Sequence, residues 1–178
     1  MSRKQKIVVV GFSIMLAMFA AAPQVAGQQS ATGWLALNVN PRTAGVFVDD
    51  GYLGPASAGP YKVKAGERTV RIEDPRYEVF LRTISILPDK QNPLAGDLKP
   101  LAPPTGPFGT LRVQGPDKYA AVYLNGKYVA YVGEIDTSFK GLLVNPGRYV
   151  VTIEPLSNMP QSVEVPIEKN KAMRVWYK

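Results

Sequence analysis

From Gly33 onward, apolar and polar residues alternate in short runs, the spacing that turns every second side chain to one face of a strand. The opening run is Gly33-Trp34-Leu35-Ala36-Leu37-Asn38-Val39, and the last clear one carries Val163, Val165 and Ile167 against Glu164, Pro166 and Glu168 on the other face. Pro166 lacks an N–H, which places that segment at a sheet edge where a missing donor harms nothing. Val79, Leu81 and the run around Ile84 and Ile86 read as the corresponding strands of the first half, and Met173 to Tyr177 as a final strand. No segment beyond the first residues shows sustained helical periodicity. Short strands punctuated by Gly and Pro predict an all-β chain built as small sandwiches.

The pattern occurs twice. Gly109-Thr110-Leu111-Arg112-Val113 answers the opening run 76 positions later. Val46-Phe47-Val48-Asp49-Asp50-Gly51-Tyr52-Leu53 is answered by Val122-Tyr123-Leu124-Asn125-Gly126-Lys127-Tyr128-Val129. Asp-Gly and Asn-Gly between strands are hairpin signals, since both tolerate positive φ. Gly51 and Gly126 are therefore read as turn residues, with the extra Asp of the first copy as a bulge beside its turn. Further on, Ala65-Gly66 and Pro146-Gly147 each precede a strand ending in Ile-Glu, and Gly66 and Gly147 are assigned the left-handed position of a type II turn. Counted between glycine turns, the second copy carries six extra residues, 21 positions against 15.

Between the copies, Lys99 to Pro107 contains four prolines in nine residues and reads as a semi-rigid linker. The organisation predicted is a leader at 1–27, one β module at 33–98, a Pro-rich linker at 99–108 and a second module at 109–178. A module of about 70 residues buries only about 60% of its unfolded surface, so contact between the copies, or with a partner, matters for stability.

Arg3, Lys4 and Lys6 precede an uncharged run from Ile7 to Ala22, and Val25-Ala26-Gly27 offers small residues ahead of a cut before Gln28. The run is 16 residues, short of the roughly 20 that span a bilayer, so cleavage and export to the periplasm, cell surface or medium are expected. Taking the three leader cations from the 21 Lys and Arg, against 14 Asp and Glu, lowers the formal charge from +7 to +4, with no basic stripe; nucleic acid is not an expected partner. There is no cysteine and no histidine, which removes disulfides, thiol chemistry, the usual general base and the commonest metal ligand. The chain is read as non-enzymatic and without cofactors.

The assembled order resembles the PEGA domain family: a Gly-x-Leu-x-Val strand, a Val-x-Val-Asp-Gly hairpin, an Ala-Gly or Pro-Gly turn and a closing alternating strand. The resemblance covers 33–98 and 109–178. It implies a small β-sandwich found in surface-associated proteins of bacteria and archaea, an architectural or interaction element with no catalytic residue. The chain departs from the pattern at Gly54-Pro55-Ala56, where the family has Gly-x-Thr-Pro, and the second copy lacks that element.

Candidate chemistry is sparse. Asp49 and Asp50 suggest a calcium loop, but Tyr52, Leu53 and Gly54 break the alternation of oxygen ligands, so no metal is expected. The carboxylates Glu73, Glu154, Glu164 and Glu168 fall at strand ends or on solvent faces rather than across a cleft. Tyr52, Tyr128, Tyr131 and Phe139 lie in or near turns and are the candidate contact residues. Trp34 and Trp176 suit either packing or contact. The insertion from Tyr131 to Lys140 is the first place to look for recognition. These features predict an exported interaction module whose partner is an envelope or surface protein; a cell-wall polysaccharide stacked on the turn aromatics is the alternative.

Overall fold

The computed structural model describes residues 31–137 and 139–178, and the leader read from residues 1–27 lies outside them. The chain is all-β. In the first half, β1 (Thr32–Asn40), β4 (Tyr61–Lys64) and β7 (Gln91–Asp97) form a sheet of order β4-β1-β7, with β1 and β7 parallel. The second sheet of that half is β3-β2-β5-β6, from β2 (Gly45–Val48), β3 (Gly51–Pro55), β5 (Gly66–Glu73) and β6 (Phe80–Ile86). Leu35, Val46, Val70, Ile72, Ile86 and Leu94 meet between the two sheets, because alternation sends each row to the same side.

The second half repeats this strand order. Its sheets are β11-β8-β14 and β10-β9-β12-β13. The strands are β8 (Gly109–Gln114), β9 (Ala121–Leu124), β10 (Lys127–Tyr131), β11 (Leu142–Val144), β12 (Gly147–Glu154), β13 (Gln161–Ile167) and β14 (Ala172–Trp176). Leu111, Val113, Val122, Val151, Ile153 and Val175 fill this sandwich. Register pairs recur too. Val48 faces Gly51 as Leu124 faces Lys127, an offset of 76, and Gly66 faces Ile86 as Gly147 faces Ile167, an offset of 81.

Several turn assignments are corrected. The first hairpin turns on Asp49 (φ 49°) and Asp50 (φ 65°), as the second turns on Asn125 (φ 50°) and Gly126 (φ 80°), both of the left-handed kind that matches strand twist. Gly51 is not the turn residue but the first residue of β3. No extra residue sits in the turn; the bulge lies further along, at Leu53 and at its counterpart Val129. Asp49 tolerates its position because its side chain is used: Oδ1 accepts from the Thr69 N–H at 3.0 Å, as Asn125 Oδ1 accepts from Val150 N–H at 2.8 Å. Gly66 does hold positive φ (100°), but Gly147 is not among the positive-φ residues, so the two turns differ. With the hairpins aligned on their true turns, the second copy carries five extra residues, 81 less 76, rather than six.

Parity also differs on one strand. Val79 and Leu81 face solvent, 57% and 64% exposed, while Phe80 packs over Gly96 and Ile84 and Ile86 complete the inward row. Val163 keeps the inward row of Val165 and Ile167, opposite the buried Val151, but is 43% exposed toward the end of that row. The connector begins as part of the first sandwich: Glu78 N–H donates to the Lys99 carbonyl and Leu101 N–H to that of Arg76. It does not hold the sandwiches apart, because they pack directly on one another.

Candidate functional site

Strand alternation leaves one residue in two on the outer face of each four-stranded sheet. On β2 and β3 these include Gly45, Phe47 and Tyr52, and on β9 and β10 Ala121, Tyr123 and Tyr128, the same three places 76 positions on. The two outer faces meet. Phe47 and Tyr128 pack edge to face at 5.5 Å, Tyr52 and Tyr128 lie 5.8 Å apart, and Phe47, Ala121 and Tyr128 are buried together. Equivalent patches thus form the contact, in the manner of a two-fold dimer interface contained in one chain. Arg71 covers the far face of Phe47 at 4.2 Å.

Polar groups follow the aromatics inward. Tyr52 Oη donates to the Tyr119 carbonyl at 3.1 Å, joining the halves. Tyr128 Oη is buried beside the Tyr52 hydroxyl and makes no well-formed hydrogen bond among the described residues. Burial pushes the pKa of both hydroxyls far above the usual phenol value. Tyr123 Oη donates to Glu154 at 2.7 Å.

Beside this clasp, an ion network crosses the junction. Asp74 is buried and accepts from Arg76 Nε at 2.8 Å, Arg76 Nη2 at 2.6 Å and the Arg76 N–H at 3.0 Å. The same Nη2 reaches Glu134 of the second half at 2.9 Å. Hydrogen bonding to Asp74 holds the Arg76 guanidinium well above its ordinary value. Glu134 is pushed upward by burial, with Arg76 pulling the other way by less.

Glu134 belongs to α1 (Val132–Ile135), one helical turn anchored by the buried Val132 and Ile135 and occupying the place of the 3-10 turn Ala56–Ala58 in the first half. The five extra residues lie between this turn and β11. They wall a groove of about 620 Å³ at the junction, bounded by Thr43, Pro75 and Arg76 on one side and by Tyr131, Ile135 and Leu142 on the other. Phe139 stands at its rim with its side chain fully exposed, and Leu143 is 57% exposed.

The four candidate contact residues therefore separate. Tyr52 and Tyr128 are turned on each other between the halves, so neither offers an open ring face. Tyr131 is half-buried, 6.4 Å from Tyr119, and lines the groove with Phe139. Sequence reasoning missed Phe47 and Tyr123. Their signal was an aromatic at an outward strand position in both copies, where a solvated sheet would carry a polar residue. The Asp74–Arg76–Glu134 link had no signal, since it joins positions 58 residues apart.

Against known proteins, the first sandwich carries one family match. Residues 32–101 match the PEGA domain. The match runs from the first residue of β1 past β7 to the start of the connector, so β1 to β7 and the residues Phe47, Tyr52 and Arg76 all lie inside it. No curated protein gives a significant match. Among solved structures, the TIE protein of Bacillus anthracis is similar at 13% identity and a TM-score of 0.30, covering 83% of this chain and 33% of its own. SGBP-B of the Bacteroides ovatus mixed-linkage glucan utilization locus, solved with a mixed-linkage heptasaccharide, is similar at 12% identity and a TM-score of 0.20, covering 80% of this chain and 38% of its own. The chain thus spans 33% of the one and 38% of the other.

Proposed function

We propose that this chain is an exported, non-catalytic binding module of the bacterial envelope, formed by two PEGA-type sandwiches acting as one rigid unit, and that the junction groove takes a protein partner. The reading is supported by the PEGA match over the first half and by the repetition of its strand order and registers in the second. The carrying observation is the five-residue insertion. It is the place where the second sandwich departs in length from the first, and it builds a groove with an exposed phenylalanine at the junction. A loop held on two packed sandwiches presents contacts with little ordering cost on binding.

The absence of His and Cys supports a non-catalytic role, since acid-base and nucleophilic work would fall to carboxylates. Those at the junction are already engaged, Asp74 and Glu134 by Arg76 and Glu154 by Tyr123. Glycan stacking on the turn aromatics is less favoured, because Tyr52 and Tyr128 spend their faces on the clasp.

The test is affinity capture from envelope fractions with the wild-type chain and with Phe139→Ser combined with Leu143→Ser. Both positions are exposed, so the fold should survive, as circular dichroism would check. Proteins retained by the wild type and released by the variant support the reading. Equal capture by both would sink it.

A further inference from the structure

The two four-stranded sheets end on matching edge strands, β6 in the first half and β13 in the second, each last in its order and paired on one side only. Their registers align residue for residue at an offset of 81: Thr69 faces Thr83 as Val150 faces Glu164, and Glu67 faces Ser85 as Arg148 faces Pro166. An open edge is a template for another strand unless something blocks it. β13 is blocked twice. Pro166 has no N–H to give, and Glu164 puts a charge at the middle of the strand. At the same two places β6 carries Ser85 and Thr83, and it has Leu81, 64% exposed, where β13 has Ser162. One fold thus carries a closed edge and an open one of the same geometry.

The blocked edge shows how the open one is presented. A proline within a sheet turns its nitrogen away from the neighbouring strand, so Pro166, although opposite Arg148, points its nitrogen outward. By the shared register, the N–H and C=O groups of Ser85, and of Thr83 and Leu81 two and four places before it, also turn outward. The connector occupies the backbone just ahead of this edge, where Glu78 N–H donates to the Lys99 carbonyl, and leaves Phe80–Ile86 open. The clasp with the second sandwich lies over β2 and β3, with β5 between it and β6.

We infer that β6 pairs with β6 of a second copy of this chain, antiparallel about a two-fold axis at Thr83, so that the two sheets run on as one. The strand is self-complementary in that arrangement. An axis at Thr83, the middle of Phe80–Ile86, is the one that pairs every residue of the strand. It sets Thr83 against Thr83 as a pair exchanging both N–H···O bonds, Leu81 beside Ser85, Arg82 beside Ile84 and Phe80 beside Ile86, so no like charges meet. An axis at Arg82 would oppose two arginines, and the same pairing on β13 would oppose two copies of Glu164 and lose the Pro166 donor. Each copy has one β6, so the pairing closes at two chains. The surface is separate from the junction groove and does not depend on its partner.

Sedimentation velocity of the purified chain from about 1 μM to about 1 mM should show monomer passing to dimer. Thr83→Glu and Ser85→Pro, which carry over the residues of the second half, should each weaken dimerisation about 10-fold or more with circular dichroism unchanged, and Glu164→Thr should leave it as in the wild type. Thr83 is exposed, so its variant decides should the proline disturb the fold. The chain has no cysteine, which lets a single one report the register. Opposed Cα atoms at position 83 would lie about 5.5 Å apart, within disulfide reach, whereas the two copies of residue 81 would be about 13 Å apart along the strands. Mild oxidation should therefore link Thr83→Cys and not Leu81→Cys. The inference is overturned by a monomer at every concentration, by a dimer that Thr83→Glu leaves intact, or by Leu81→Cys linking as fast as Thr83→Cys.

Discussion

Gly45 lies directly under the phenol ring of Tyr128: a Cβ on residue 45 would fall 2.5 Å from Tyr128 Cζ. The two sandwiches approach to contact there because β2 carries no side chain at that point. Gly45→Val should therefore push the faces apart and cost about 1–3 kcal/mol, as overpacking does. Denaturant unfolding measures it. Gly51→Ala serves as comparison, since residue 51 is open and outside the left-handed region, and should stay within about 0.5 kcal/mol of the wild type.

The hydroxyls at the clasp separate a poorly met donor from a well-used one. Tyr128→Phe removes a buried hydroxyl whose contact with that of Tyr52 is poorly formed and should leave stability unchanged or raise it by up to about 1 kcal/mol. Tyr52→Phe removes the bond to the Tyr119 carbonyl and should lower it by a similar amount. Equal effects of the same sign would contradict this placement.

Alkali should open the same contact. Burial raises the pKa of Tyr52, Tyr123 and Tyr128 in the folded chain, so ionisation is penalised only while it is folded. The stability they contribute is complete below the unfolded tyrosine value of about 10 and is lost as pH rises above it. Spectrophotometric titration should show these phenols ionising only as the near-UV signal of packed aromatics disappears. Smooth ionisation with that signal intact would show the clasp to be open to water.

Glu134 should behave in the reverse of a stabilising ion pair. Its folded pKa is raised, so its proton is held more tightly in the folded chain, and the benefit is present at acid pH and lost as pH rises through the folded value. Glu134→Gln, which mimics the protonated form, should melt higher than the wild type at pH 7, and the difference should shrink as pH falls into the ordinary carboxylate range. A lower melting point at pH 7 would mean that the Arg76 contact outweighs burial.

The paired glycine turns give a last contrast. Gly66 sits at φ 100°, where a side chain is strained, so Gly66→Ala should cost about 1 kcal/mol or more. Gly147 is free of that requirement, and a Cβ there would meet only the Tyr149 ring, at 3.3 Å. Gly147→Ala should be close to neutral in thermal melts.

Much of the fold was legible because strands and hairpins are written locally. Alternation marked Leu35, Val113, Ile153 and Val165 as inward, and the Asn125-Gly126 pair marked a turn through the backbone conformations it tolerates. Errors came where two local solutions were equally good. Asp49-Asp50 and Asp50-Gly51 both suit a two-residue turn, and the hydrogen bond from Thr69, twenty residues away, selects the first. Phe80 and Leu81 are both apolar, and the space over Gly96 decides which turns inward.

The sequence by itself determined the all-β class, the paired hairpins and most of the inward faces, since these follow from backbone sterics and the two-residue period, while β7 and the order of strands within each sheet were not written locally. Tertiary structure decided which outward residues are covered. Whether Tyr52 and Tyr128 serve as open platforms or as a clasp depends on a partner surface 76 residues distant, and burial is a property of that pair of surfaces rather than of either strand.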